Sequence, residues 1–384
     1  MNINRLKYQL ESLDFPVQQE GEKYFPSFVD SLLEEYYNQY VNDISPSIDA
    51  DIAERIRIKI ERFRSSISEI LKLYYSGNIL EATQEFNQYI QEAVSKKIPS
   101  SIQSIPCKNI FYRARICDYK QLAREDNFHV KFENRHFVST NRYSVPGFPA
   151  LYLADSAYVC WEEFDRSDIK KMWFSKYENI QELNVIKIER PKDFIKSLNG
   201  LNETDQLDLI NNYLVIYPLA LICSIKVKNR NANFKSEYIV PQLLLQYVAN
   251  NSDVHGIKFP STKVDYSKIS NLSAYNYVFP VKNIKEAGFC SSLTDAFYLT
   301  EPTNLDVEEL IDVSRNTGAK HGYPVGYEDS RGIRLVNDVR SVYSVTAFGK
   351  IESILKKRLC ESVYCVPSLY FDAESSSFSP EIYK

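Results

Sequence analysis

Apolar residues along the first hundred positions recur at helical spacing, and the rhythm then changes. From Asp51, Ile56, Ile60, Phe63, Ile67, Ile70 and Tyr74 recur every three or four residues, the stripe of an amphipathic helix. Asp51 and Glu54 form a capping-box-like start, and Gly77 is placed to end the helix in a left-handed cap. Before it, Ser27 is expected to cap a helix carrying Phe28, Leu32, Tyr36 and Tyr40 on one side. After it, a helix over Ile79 to Ser95 points Leu80, Phe86 and Ile90 inward. Short connections between such helices favour an antiparallel bundle over residues 1–105. The Ile98 to Pro106 stretch has the composition of a linker.

Beyond it the pattern shortens to strand-length apolar runs at 109–114, 150–154, 184–189, 217–227 and 256–260. A helix over Ser236 to Val248, with Pro241 in its first turn, precedes the 256–260 run. Asn276 to Val281 reads as a last core strand. The fold class is therefore α+β: an N-terminal helical bundle, a mixed α/β core over 106–285, and a C-terminal extension over 286–384. In that extension Leu305 to Val313 suggests a helix, and Val342 to Ala347 a strand. Ala347 to Leu359 suggests another helix, broken by Gly349, and Ser375 to Ser377 lie in a mobile tail.

Composition narrows the function. The chain has 384 residues, 44% hydrophobic and 25% charged, as a soluble globular protein has. A formal net charge of -4 argues against generic nucleic-acid binding, which needs a basic face. The first residues lack the apolar run of a signal peptide, and no apolar stretch reads as membrane-spanning length. Seven scattered cysteines without a C-x-x-C pair read as reduced thiols, so a cytoplasmic protein is expected. Four histidines without ligand spacing give no reason to expect a metal. No histidine precedes His129, so the bundle lacks the arginine–histidine pairing of a helical nuclease. There is no G-x-G-x-x-G and no G-x-S-x-G, which argues against a Rossmann site and a serine-hydrolase elbow.

The most informative stretch runs from Asn141 to Phe164. A polar turn holding Pro146, Gly147 and Pro149 leads into a strand at Ala150 to Ala154. Helical spacing follows, with Ala157, Cys160, Trp161 and Phe164 able to share a face. Two carboxylates, Glu162 and Glu163, sit in this segment, and a carboxylate beside an apolar helix face needs a reason to be there.

Arg142-Tyr143-Ser144, Gly147, Leu151-Tyr152-Leu153-Ala154 and a glutamate eleven places past that tyrosine resemble the core of RES-domain toxins. That family takes its name from an arginine, a glutamate and a serine. The other two members stand in order: Arg113 ends the apolar run Ile110-Phe111-Tyr112-Arg113, and Ser261 ends His255-Gly256-Ile257-Lys258-Phe259-Pro260-Ser261. The resemblance covers roughly residues 106–285 and implies an ADP-ribosyltransferase-like core that degrades NAD, by hydrolysis or phosphorolysis, with NAD the substrate rather than a resident cofactor.

On that reading Glu163, in the family's register, stabilises the sugar cation formed when nicotinamide leaves; adjacent Glu162 is the competing candidate. Arg113, helped by Arg115 and Arg142, would take the pyrophosphate, since arginine offers a permanent charge and several donors. Tyr152, with Tyr143 beside Arg142, would meet the nicotinamide or its ribose, and Ser261 would hydrogen-bond ribose or carboxamide. Each has a plainer reading: core packing for the tyrosines, surface ion pairs for the arginines, a strand-end cap for Ser261. A protein ADP-ribosyltransferase and a non-catalytic interaction module are the rival functions. The expected partners are NAD, an antitoxin or regulatory protein, and a second copy of the chain in a homo-oligomer; no membrane is expected.

Overall fold

The computed structural model describes residues 3–21, 23–94, 101–118, 121–309, 330–336 and 339–365. Four helices open the chain: α1 (Ile3–Ser12), α2 (Phe25–Gln39), α3 (Ala50–Tyr75) and α4 (Ile79–Val94). The α3 stripe is buried as its spacing predicts. Its cap, however, is Asp49 rather than Asp51, because the Asp49 carboxylate accepts from the amides of Asp51 and Ile52. Gly77, at φ +85°, does end it: the Gly77 and Asn78 amides turn back onto the carbonyls of Tyr74 and Leu73. Ser27 is not a cap, since α2 begins at Phe25 with Pro26 in its first turn. Phe86 and Ile90 of α4 face inward, whereas Leu80 is exposed and Ala82 takes the buried place.

Ile102–Ile105, expected within the bundle and its linker, is the first strand, β1. It joins β2 (Ile110–Ile116), β3 (Ala150–Ala154), β4 (Met172–Asn179), β5 (Leu183–Lys187), β6 (Gly256–Pro260), β8 (Tyr275–Pro280) and β9 (Phe297–Leu299). They form one eight-stranded mixed sheet, ordered β1-β5-β6-β8-β3-β2-β4-β9. Only β5 and β6 run parallel; every other pair is antiparallel. A small second sheet pairs β10 (Gly332–Val336) with β7 (Ile269–Ser270) and β11 (Val339–Val342). The protein is α+β with a helical N-terminus.

Side-chain alternation divides the core across the main sheet. Ile257, Phe259 and Val278 pack with α1–α4 and with α6 (Pro191–Ser197), α7 (Glu203–Cys223) and α8 (Ile239–Ala249). Phe111, Leu151, Leu153, Tyr277 and Phe279 face the other way, against Phe128, Phe132, Phe289 and Leu293 of the short helix α9 (Ser291–Thr294). Gly256 is required by this packing, since a Cβ there would lie 2.6 Å from the Phe279 ring and the Val278 carbonyl. The front helices thus share a core with later elements, and the Tyr36 hydroxyl donates to the Leu214 carbonyl at 2.7 Å.

Residues 217–227, expected to form a strand, are mostly the end of α7, whose Asn202 side chain caps it on the Asp205 amide. An apolar run without period fits a buried helix as well as a strand, and the tertiary setting chose the helix. At 21 residues α7 is the one described helix long and apolar enough to cross a membrane, contrary to the expectation of none; 67% of its apolar window is buried inside the protein. In the extension, Val342 ends β11 and Tyr343–Val345 turn as a single 3-10 loop instead of a strand. Gly349 sits in the first turn of α10 (Ala347–Lys356) without breaking it. A helix is described over 305–309; the remainder of the Leu305 to Val313 expectation, and Ser375 to Ser377, lie outside the described residues.

Candidate active site

The strand β3 feeds α5 (Ala157–Glu163), a short helix whose Ser156 hydroxyl accepts the Val159 amide at 3.2 Å. Adjacent helical residues diverge by about 100°, and the two glutamates part accordingly. Glu162 turns into the protein, 3% exposed, where it accepts from the Tyr158 hydroxyl at 2.6 Å and the Arg166 guanidinium at 3.0 Å. Glu163 turns to a cleft. Its Oε1 accepts from Ser261 Oγ and from Asn276 Nδ2, both at 2.7 Å. Among the described residues no donor hydrogen-bonds to its Oε2. Phe164, expected to share a helix face with Ala157, Cys160 and Trp161, is the exposed cap beyond the helix.

Strand register explains the pairing around Glu163. Asn276 lies opposite Phe259 of β6 and opposite Ala154 at the end of β3. Ser261, one residue past β6, is thereby set beside Asn276, and both reach the helix that β3 launches. The Ser261 hydroxyl accepts from the Lys263 and Val264 amides at 3.2 and 3.4 Å, which directs its own hydrogen to the carboxylate. Ser261 is 1% exposed, so it stands behind Glu163 rather than in the open cleft. Lys263 Nζ donates to the Glu163 carbonyl at 2.6 Å and pairs with Asp165 at 3.1 Å.

Next to this corner the sheet opens. β2 aligns with β4 over seven residue pairs but meets β3 at one, Tyr112 opposite Ala154. Into the gap comes Arg113, whose Nη1 donates to the Tyr152 carbonyl at 2.6 Å. Arg115 Nη2 donates to the Phe128 carbonyl at 2.9 Å. The Nε of each arginine is buried without a hydrogen-bond partner, and neither makes an ion pair among the described residues. Burial draws both guanidinium pKa values down; Arg115 falls to about 10, with the like charge of Arg113 adding to the effect. Half-buried cations without an ion-pair partner carry part of the cost of desolvation. An anion entering between the strands would relieve that cost.

The cleft has a volume of about 1120 Å³ and is lined by Arg113, Arg115, Tyr152 and Glu163 together with the 226–235 loop. Eight cationic side chains line it against the two carboxylates of Glu163 and Asp165, in a chain whose net charge is -4. Arg142 is one of the eight, though already committed: it donates to the Cys223 carbonyl at 3.0 Å and Thr262 Oγ1 at 3.2 Å, and lies over Tyr238. Tyr152 is half-buried in the wall, its hydroxyl donating to Ser144 at 3.1 Å. Tyr143 does not join them; it is fully buried against Phe259 and does not line the cleft. Among the described residues no group of three metal-ligating side chains occurs, and all seven cysteines are free.

Sequence reasoning missed Asn276, Lys263, Gln18 from the front of the chain, and the cations of the 226–235 loop. Asn276 alone left a signal: it is the one amide in the otherwise aromatic and apolar run Tyr275–Pro280, and a buried amide needs a partner.

A curled, opened sheet beside a cation-lined cleft that holds one anchored carboxylate defines the class: an α+β protein with its candidate site where β3 meets α5. No family model and no solved structure matches the chain. It is 32% identical over 314 residues, 77% of its own length and 70% of the relative's, to a Bacillus subtilis (strain 168) protein named "Putative toxin YopC". The chain belongs to that toxin family.

Proposed function

We propose that the chain is a toxin-like enzyme of the RES type that cleaves the nicotinamide–ribose bond of NAD. The observation that carries this reading is Glu163, with one carboxylate oxygen anchored and the other open, in the same cleft as the uncompensated Arg113 and Arg115. The arginines take the pyrophosphate, and the ring of Tyr152 forms a flat wall for the nicotinamide end. As the bond breaks, its electron pair goes to the nicotinamide nitrogen and neutralises the pyridinium. Positive charge then builds on the ribose, where the open oxygen of Glu163 stabilises it more than in the ground state. Water adds to the sugar carbon and loses a proton, giving ADP-ribose and nicotinamide.

Ser261 and Asn276 hold the carboxylate still, so no reorganisation is needed at the moment of charge development. Such an activity would drain the cytoplasmic NAD pool of its own cell, so a restraining partner protein is part of the proposal.

Incubating the intact chain with NAD and measuring nicotinamide tests the reading. Release of nicotinamide with ADP-ribose supports it. ADP-ribose attached to protein would replace hydrolysis by transfer, and binding of NAD without turnover would overturn the enzymatic reading.

A further inference from the structure

The extension beyond residue 286 has no part in the RES resemblance, yet α10 is held against the helix that carries Glu163. Three contacts fix α10 in place. The Thr346 hydroxyl caps its start on the Gly349 amide, at 3.2 Å. At its other end Lys176 Nζ, from β4, donates to the carbonyls of Lys356 and Arg358 at 3.4 and 2.9 Å. Gly349 admits the preceding turn closely, since a Cβ there would lie 2.3 Å from the Tyr343 carbonyl. From this fixed helix Phe348 packs on Tyr158 and Trp161 of α5, with ring centroids 5.5 and 5.3 Å apart.

Glu352 is the polar contact between the two helices. It is 4% exposed, and its Oε1 accepts the Ala157 amide, at the first residue of α5, at 2.8 Å. The Tyr343 hydroxyl donates to the same oxygen. Ala157 and Glu163 are the two ends of one seven-residue helix, so tilting one end moves the other.

We propose that Glu352 is a positioning residue for the reaction: by holding the Ala157 amide it sets the orientation of α5 and hence where Glu163 points in the cleft. This rests on the NAD-cleaving reading of Glu163. What the position requires is a hydrogen-bond acceptor at the right reach, not a charge. Glu352→Gln keeps the acceptor and loses the charge; Glu352→Asp keeps the charge and withdraws the acceptor by one methylene.

The test compares steady-state nicotinamide release from NAD by the intact chain and both variants, after melting curves confirm folding. Glu352→Gln is expected within about threefold of the parent in kcat, and Glu352→Asp about tenfold or more below it with KM unchanged, since small misplacements of a reacting group are costly in rate. Hydrogen exchange over 157–163 should quicken in Glu352→Asp and not in Glu352→Gln. Normal kcat in both variants, or an Asp variant better than the Gln variant, overturns the proposal. If Glu352→Asp does not fold, quickened exchange in Glu352→Gln with normal exchange in Tyr343→Phe would equally overturn it. A parent chain that releases no nicotinamide defeats the underlying reading instead, while the exchange comparison still reports on the helix.

Discussion

The front helices and the cleft handle charge in opposite ways. On α3, Arg57 pairs with Glu54 at 2.6 Å and with Glu61 at 3.3 Å, and Arg64 pairs with Asp30 at 3.0 Å, all on a solvated face. The buried side of the same helix is wholly apolar. In the cleft, Arg113 and Arg115 are half-buried and make no ion pair among the described residues, and Glu163 is given two neutral donors rather than a cation for its Oε1. Pairing charges at a surface costs little and contributes little. Burying them unpaired weakens the fold, and a ligand of the opposite sign is what gives such an arrangement a use.

The largest effect should come from the carboxylate. Glu163→Gln keeps its size and much of its hydrogen bonding but removes the charge, and turnover of NAD should fall by roughly 10²–10³ with binding little affected. Glu162→Gln, already committed to Tyr158 and Arg166, should change turnover by less than about tenfold. Single-turnover rates of the two variants decide the matter, and the reverse ranking would move the site by one residue.

A smaller effect is expected from the cations. Arg113→Met should weaken NAD or pyrophosphate binding by about tenfold to a hundredfold, the worth of a hydrogen bond to a charged group. Because it removes a half-buried charge that has no ion-pair partner among the described residues, the apo variant should melt no lower than the parent. A lower apo melting temperature with undiminished NAD stabilisation would make Arg113 a structural arginine.

Smaller again is a pH effect beneath the arginines. His129 is buried and neutral: its ring donates to the Val130 carbonyl and accepts the Cys290 amide at 2.9 Å. Burial first, then the charges of Arg113 and Arg115, lower its pKa from 6.5 to about 4. A base with a lowered folded-state pKa binds its proton more readily when unfolded. Its contribution is therefore complete above pH 6.5 and is lost as pH falls toward 4. Unfolding midpoints measured across that window should decline, and His129→Gln should flatten the slope. The least effect belongs to the helical surface, where Arg57→Ala should leave the melting temperature essentially unchanged.

How much of this was legible depended on range. The β3–α5 unit could be placed from sequence because a turn, a strand and a helix start follow one another within Asn141 to Phe164. The strand β4 was not foreseen, because Lys176 and Glu178 interrupt its apolar run. They are tolerated because they pair at 2.9 Å and Lys176 also caps α10, about 180 residues away in sequence. Tyr143, expected near the nicotinamide end, proved to be core because its backbone position turns it toward Phe259.

The sequence by itself determined what is local: the α3 stripe and its glycine stop, the strand runs at β2, β3, β6 and β8, and the order Arg113, Glu163, Ser261. These follow from periods of 3.6 and 2.0 and from turn chemistry, which act over a few residues. Only the tertiary structure decided which glutamate faces the cleft, that Asn276 and Ser261 share one of its oxygens, that α7 is a helix, and that Glu352 reaches α5 from a distant part of the chain. Those outcomes depend on strand register and on burial between segments far apart in sequence, and no local pattern encodes either.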